Sequence, residues 1–455
     1  MFQNSKTIVV IGMGYVGIPC AVLFADVPGF RVIGVQRRSE RSGWKIDWLN
    51  AGKCPIEGEE PGLAELIHRV VVDKGTFRVT DDYSVCREAD AILIDVQTPV
   101  DEKNIPQYES LVLVSQQVGR HLRPGTLVII ESTVAPGTTQ NVVRPILERE
   151  SGLRAGKDFY LAFSYERVMP GKLLEYITDF PRVVGGIDEE STQQAVELYR
   201  HIVRAEIHPT DTLTAEIAKV VENAYRDVNI AFANEVALLC ESIGVNVYEV
   251  RRLINARPDR HMHLPGAGVG GHCLPKDSWL LVYGVRTYGQ GSPQPRLIPI
   301  AREINAGMPQ HMFRLIRQGL EARGRNLSGA RVVLLGVSYL ENTDDTRNTP
   351  AVPLARYLLA YGAEVLAHDP YVREPDWRRE LGNELSVPLS KDLWLMLEGS
   401  DCAAVVTGHR IYYEIDLARM AAVMRSPVLV DGRNVFDGKR CRAVGLVYYG
   451  LGKGR

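Results

Sequence analysis

The chain has 455 residues and a formal net charge of −2, with 45% hydrophobic and 24% charged residues. That composition belongs to folded globular proteins and excludes disorder as the main state. The near-neutral balance supplies no basic field to hold nucleic acid or an anionic membrane nonspecifically, and no run reaches the roughly 18 apolar residues of a membrane span.

At roughly 100–200 residues per domain, the length allows two to four domains. The opening MFQNSKTIVVIG enters an apolar strand almost at once and lacks a signal peptide's h-region and cleavage site. Seven scattered cysteines, odd in number and without a CxxC pair, predict reduced thiols in a cytoplasm.

Residues 1–208 alternate short apolar runs with helical patterns. The runs are Thr7–Ile11, Arg31–Val35, Ala91–Val96, Leu127–Ile130 and Phe159–Phe163. Strands alternating with helices predict an α/β fold with a mostly parallel, doubly wound sheet. Residues 209–325 change texture. Thr212–Ile243 reads as one helix about 45 Å long, with Thr212 or Thr214 as its cap, Glu216 in its first turn and Gly244 at its end. Such a helix suits joining two domains or pairing with its copy in a second subunit. Ala256–Asp277, rich in Pro, Gly and His, reads as loop. Residues 326–455 predict a second α/β unit, with strands in RVVLLG, AEVLAHDP, CAAVVTGH and SPVLVDGRN, and a helix over Thr349–Tyr361.

The strand TIVVIG runs into Gly12-Met13-Gly14-Tyr15-Val16-Gly17, a GxGxxG. Its glycines permit a tight turn, close approach of a pyrophosphate and tight helix–strand packing, so a dinucleotide is expected here. The next strand ends in Gln36, Arg37 and Arg38 rather than in an acid. Gln36 suits a ribose hydroxyl and Arg37 a 2′-phosphate. NAD is the expected cofactor, with NADP left open.

Cys273 stands in Gly268-Val269-Gly270-Gly271-His272-Cys273-Leu274-Pro275-Lys276-Asp277. A thiolate among glycines, with Lys276 or His272 to lower its pKa, is a candidate nucleophile. Asp277, four residues on, suits a base or water-orienting group. Lys219 and Asn223 share one face of the long helix and predict a polar lining. His261, His263 and His272 invite a metal, but a metal would tie up the thiolate, and none is expected. A dinucleotide and a nucleophilic thiol together suit a four-electron oxidation: alcohol to aldehyde, aldehyde to thioester, thioester to acid.

GMGYVG, ESTVAPGTT, KVVENAYRDVNIAFANE, GVGGHCLPKD and ENTDDTRNTPA, in that order, resemble the UDP-glucose/GDP-mannose dehydrogenase family from about Lys6 to about Phe436. The resemblance implies an N-terminal NAD-binding Rossmann domain, a central helical region that forms a homodimer, a C-terminal Rossmann-like UDP-sugar-binding domain, and oxidation at C6 of a UDP-sugar. It makes Cys273 the nucleophile, Lys219 and Asn223 the oxyanion-stabilising pair, Asp277 a water-orienting carboxylate, Glu166 the carboxylate of thioester hydrolysis and Thr133 a water-holding hydroxyl. Thr98 and Arg347 match cofactor contacts, and Arg433 a nucleotide-sugar contact. Arg257 and Arg260 both resemble an arginine that reaches the neighbouring subunit's substrate. His272 and the run Glu166-Arg167-Val168-Met169-Pro170-Gly171 resemble the N-acetylhexosamine branch, most closely its UDP-N-acetylmannosamine enzymes, with UDP-GlcNAc, UDP-GalNAc and UDP-glucose as alternatives and Arg167 and His272 as candidates for the acetamido group. Tyr165 replaces a usual Pro, Leu340 a usual Lys, and Gln36 a usual Asp.

Overall fold

A computed structural model describes residues 6–40, 42–56, 60–291 and 294–454. The chain divides into two compact units. The first holds the residues up to Glu222 together with Trp279–Gln294, the second Asn223–Ser278 together with Pro295 onward.

The first unit is built on an eight-stranded sheet of β1 (Lys6–Ile11), β2 (Phe30–Val35), β3 (Phe77–Thr80), β4 (Ala91–Ile94), β5 (Leu127–Ile130), β6 (Tyr160–Phe163), β7 (Arg182–Gly186) and β8 (Ile207–Asp211). Its order is β3-β2-β1-β4-β5-β6-β7-β8, and only the β6–β7 pair is antiparallel. β4 and β5 are buried at every residue, because helices cover both sheet faces. One face packs Ile8, Val10, Val32, Leu93 and Ile129, and the other Val9, Ile11, Ile33, Ile92 and Ile130. That alternation is the period of two of a strand.

The second unit repeats the first six places of that order. β9 (Arg331–Leu335), β10 (Glu364–His368), β11 (Leu389–Ser390), β12 (Cys402–Val405), β13 (Val428–Asp431) and β14 (Val447–Gly450) pair as β11-β10-β9-β12-β13-β14. All five pairs are parallel. Each sheet reverses direction beside its first strand, and ligands of such sheets collect at the carboxyl ends there.

The expected α/β class with two doubly wound sheets is found. The long helix spans Thr212–Ser242 and carries residues of both units. Gly244 follows it at φ 79°, the left-handed conformation that lets a chain leave a helix. Its cap is neither Thr212 nor Thr214. Asp211 does that work, its carboxylate accepting from Thr214 N (2.9 Å) and Thr214 Oγ1 (2.6 Å). The loop expected over Ala256–Asp277 ends early: Leu274–Tyr288 is a helix, so Asp277 stands in its first turn. Among the described residues, no helix is long and apolar enough to cross a membrane.

Candidate active site

The first unit presents the dinucleotide loop between β1 and the Gly17–Asp26 helix. Gly12 adopts φ 106°, and a Cβ there would lie 1.8 Å from the Asp95 carbonyl. A Cβ on Gly17 would lie 1.9 Å from the Gly12 carbonyl, whereas one on Gly14 would meet nothing within 4 Å. Gly12 and Gly17 therefore close the turn, and Gly14 leaves open backbone for a pyrophosphate, so the loop fits a dinucleotide. Tyr15 is exposed above it. Gln36 has a second duty: its Oε1 accepts from Met13 N (3.0 Å), while its Nε2 donates to Ser42 Oγ (3.0 Å). It pins the glycine loop to the end of β2. Arg37 and Arg38 are exposed, Arg38 beside Asp81 and Asp47. Thr98, buried, donates to the Thr133 carbonyl (2.5 Å) and ties the loops after β4 and β5 together.

Glu166, three residues past β6, is buried. Burial pushes its carboxyl up to about 7 against the pull of Arg182, with Glu131 adding to the rise. Its backbone carbonyl accepts from Lys219 Nζ (2.8 Å), and that ammonium lies 5.2 Å from the centre of the Tyr165 ring. The departure at Tyr165 thus gives Lys219 a π-face. Arg167 donates to Glu222 (2.9 Å), the Pro181 carbonyl (2.6 Å) and Tyr165 Oη (3.1 Å), so its guanidinium is bound within the protein. Val168 is half-buried and packs on the apolar core of this unit.

Glu216 is also engaged within the fold. At 1% exposure, it accepts from Gly137 N (2.6 Å) and Thr139 N (2.8 Å). The helix that carries Lys219 is thereby fastened to the loop that carries Thr133, and burial pushes the Glu216 carboxyl up to about 7.

In the second unit, Cys273 is exposed. Its carbonyl accepts from Lys276 N (3.0 Å) and Asp277 N (2.8 Å), so it caps the Leu274–Tyr288 helix. The positive end of a helix dipole favours a thiolate there. Asp277 is buried, with Oδ2 accepting from Asn223 Nδ2 (2.7 Å) and Oδ1 3.2 Å from Lys276 Nζ. The pairing of Asn223 with Asp277 was not readable from spacing 54 residues apart. His272 is held down to about 4 by burial and by Lys276 and Arg347. It is neutral near pH 7, which corrects the expectation that its charge assists the thiol. It retains the capacity to hydrogen-bond an amide.

The glycines before Cys273 also serve a purpose the sequence did not show. A Cβ on Gly270 would lie 2.6 Å from Tyr339 Cβ, and one on Gly271, at φ 89°, 2.8 Å from the Tyr339 ring. Gly271 N donates to the Arg347 carbonyl (2.8 Å), and Asn348 Nδ2 donates to the Gly271 carbonyl (3.0 Å). The glycines admit protein neighbours, and the thiol loop is strapped to the segment after β9. Arg347 pairs with Asp345 (2.5 Å). Arg433 donates to the Val406 carbonyl (2.7 Å) and lies 3.4 Å from the Gly268 carbonyl. Arg257 and Arg260 share one acid, Asp259, at 2.6 and 2.7 Å, and both are exposed, so the geometry does not separate them. Leu340, in place of a usual Lys, is also exposed.

The chain matches the NAD binding domain of the UDP-glucose/GDP-mannose dehydrogenase family over residues 6–203, its central domain over 213–307 and its UDP binding domain over 333–438. It is 38% identical to UDP-N-acetyl-D-mannosamine dehydrogenase of Pyrococcus horikoshii over 98% of this chain and 99% of that one. A solved UDP-D-ManNAc dehydrogenase structure from Pyrococcus horikoshii superposes with a TM-score of 0.86 at 37% identity, covering 98% of this chain and 99% of the other. The NDP-N-acetyl-D-galactosaminuronic acid dehydrogenase structure from Methanosarcina mazei Go1 superposes with a TM-score of 0.88 at 42% identity, covering 99% of this chain and 96% of the other.

Proposed function

This chain belongs to the UDP-glucose/GDP-mannose dehydrogenase family and is a NAD-dependent UDP-sugar dehydrogenase, and from that premise we propose that it oxidises the C6 alcohol of a UDP-N-acetylhexosamine to the uronic acid through a thioester on Cys273. UDP-N-acetylmannosamine is the substrate of choice. The observation that carries the reading is the exposed Cys273 thiol at a helix N-terminus, one turn before a buried Asp277 held by Asn223. We assign NAD binding to residues 1–208, the thiol loop and dimer contacts to 209–325, and UDP-sugar binding to 326–455.

NAD, when bound, would supply the hydride acceptor, one NAD molecule for each of the two oxidations. Gly12, Gly14, Tyr15, Val16, Gly17, Gln36, Arg37, Thr98, Thr133 and Arg347 hold it in this reading. The Cys273 sulfur adds to the aldehyde carbon, and Lys219 and Asn223 stabilise the charge that develops on the carbonyl oxygen. After the second oxidation the carbon is a thioester. Thr133 and Asp277 hold a water, Glu166 takes its proton, the new C–O bond forms, and sulfur leaves as thiolate. A carboxyl near 7 is well matched to that task. His272, as a neutral ring, and Arg167 are the candidates for the acetamido group in this reading, with Val168, Arg433 and one of Arg257 and Arg260 assigned to the sugar-nucleotide.

The test is a panel of UDP-sugars with NAD. The expected result is two NADH per acid formed and the highest kcat/KM for UDP-N-acetylmannosamine. One NADH per product overturns the four-electron reaction, and a preference for UDP-glucose overturns the branch. UDP-N-acetylgalactosamine is the second reading, supported by the 42% identity to the Methanosarcina mazei protein.

The working form in this reading is a homodimer. Leu213, Ile217, Val221, Tyr225, Phe232 and Leu239 are exposed on the long helix, Tyr225 at 70%. Their spacing of four or seven residues makes one apolar stripe, which a second copy would cover. Light scattering should give a dimer that Phe232→Glu with Leu239→Glu dissociates; an active wild-type monomer at assay concentration would sink the assignment.

A further inference from the structure

Two carboxylates, Glu166 and Glu131, meet one guanidinium, with Asp95 close to both acids. Arg182 opens β7, and its Nη1 and Nη2 reach two carboxylates: Glu166 Oε1, and Glu131 Oε1 at 2.7 Å. Its Nε donates to Ser164 Oγ (2.8 Å), and its guanidinium carbon lies 3.5 Å from the centre of the Tyr199 ring. Side-chain exposure is 3% for Arg182 and 0% for Glu131. Glu131 Oε1 also accepts from Tyr199 Oη (2.7 Å), while Oε2 is buried without a hydrogen-bond partner among the described residues. Asp95, at the end of β4, is pushed up to about 8 by its burial and by Glu131.

Resting on the reading of Glu166 as the base of thioester hydrolysis, we propose that Arg182 and Glu131 are positioning residues for Glu166. One guanidinium holds the Glu166 and Glu131 carboxyls side by side, and the like charge of Glu131 sets when Glu166 takes and releases its proton. A bare Arg182–Glu166 pair would keep Glu166 charged and poor at taking a proton. Glu131 competes for the same guanidinium and repels the Glu166 charge. The unpartnered Oε2 fits this role and not one in stability, because burying a carboxylate oxygen without a donor weakens the fold. The charged and titratable groups around Glu166 are Arg182, Glu131 and Lys219, with Asp95, Cys20 and Tyr199 behind them. The buried Cys20 thiol, 3.7 Å from Glu131 Oε1, is pushed well up and stays protonated.

The test is the acidic limb of the kcat–pH profile, read in two variants that keep the site filled. Glu131→Gln removes the like charge and leaves the guanidinium to Glu166, so the limb should move down by about one pH unit. Arg182→Lys keeps a charge but offers one point for two carboxylates, so the limb should move up. Opposite shifts support the proposal. An unmoved limb in both variants, or shifts of the same sign, overturns it, and a merely structural role would lower Tm with the limb unmoved. Should Arg182→Lys fail to fold, Glu131→Gln decides alone, a downward shift supporting and any other result overturning. Glu166→Gln separates the two layers. That variant should lose turnover, and if it instead keeps wild-type turnover and limb, the reading of Glu166 as base has failed first.

Discussion

Cys273→Ala is expected to lower steady-state acid formation by three orders of magnitude or more, about 4 kcal/mol of barrier, while NAD and UDP-sugar binding survive. Residue 273 is exposed and its backbone carbonyl, which both substitutions keep, receives the first helical hydrogen bonds, so a folded variant is expected. Cys273→Ser keeps a hydroxyl, a far weaker nucleophile near neutral pH because little of it ionises. It should be nearly as slow. An alkoxide leaves less readily than a thiolate, so mass spectrometry of this variant after incubation with NAD and substrate is expected to show a sugar ester on the protein. Near-normal acid formation by Cys273→Ala would end the covalent mechanism and leave direct oxidation of a hydrated aldehyde.

Lys219→Met should cost turnover nearly as heavily. The ammonium is fixed by the Glu166 carbonyl at 2.8 Å and by the Tyr165 ring at 5.2 Å. A preorganised cation stabilises developing negative charge without rearranging, and losing such a donor typically costs about 100- to 1000-fold in kcat. Methionine nearly matches lysine in length and fills the site without charge. Steady-state kinetics should show kcat and kcat/KM falling together, the mark of a contact made in the transition state. A rise in KM at unchanged kcat would instead make Lys219 a substrate-binding residue.

What the sequence made legible was local. The apolar runs ending near Ile11, Val35, Ile130 and Phe163 are strands within a residue of where their patterns place them. The run Ala91–Val96 stops at Ile94, because Asp95 turns its carbonyl toward the glycine loop. β8 escaped notice because Ile207–Asp211 is a largely exposed edge strand containing Pro209, with no apolar alternation to read. The helix over Leu297–Glu321 contains Pro309, which reads as a break. The candidate site was legible as residue types within motifs, but its partnerships were not. Glu131 meets Arg182 across 51 residues and Glu216 meets Gly137 across 79. Neither pairing leaves a periodic trace. The one available signal was an isolated charge at a strand end: Glu131 directly after LVII, and Arg182 directly before VVGG.

The strap between Gly271 and the segment after β9 bears on recognition. Residues 333–438 match a UDP binding domain, and Tyr339, Arg347 and Asn348 within it hold the backbone just ahead of the sulfur. In the reading proposed above, the backbone of the nucleophile's loop is tied to the segment that matches a UDP binding domain. A sugar-nucleotide held by this segment is, in that reading, held by the same residues that strap the thiol loop. In that reading, a truncated sugar lacking its nucleotide has no such handle on the thiol loop.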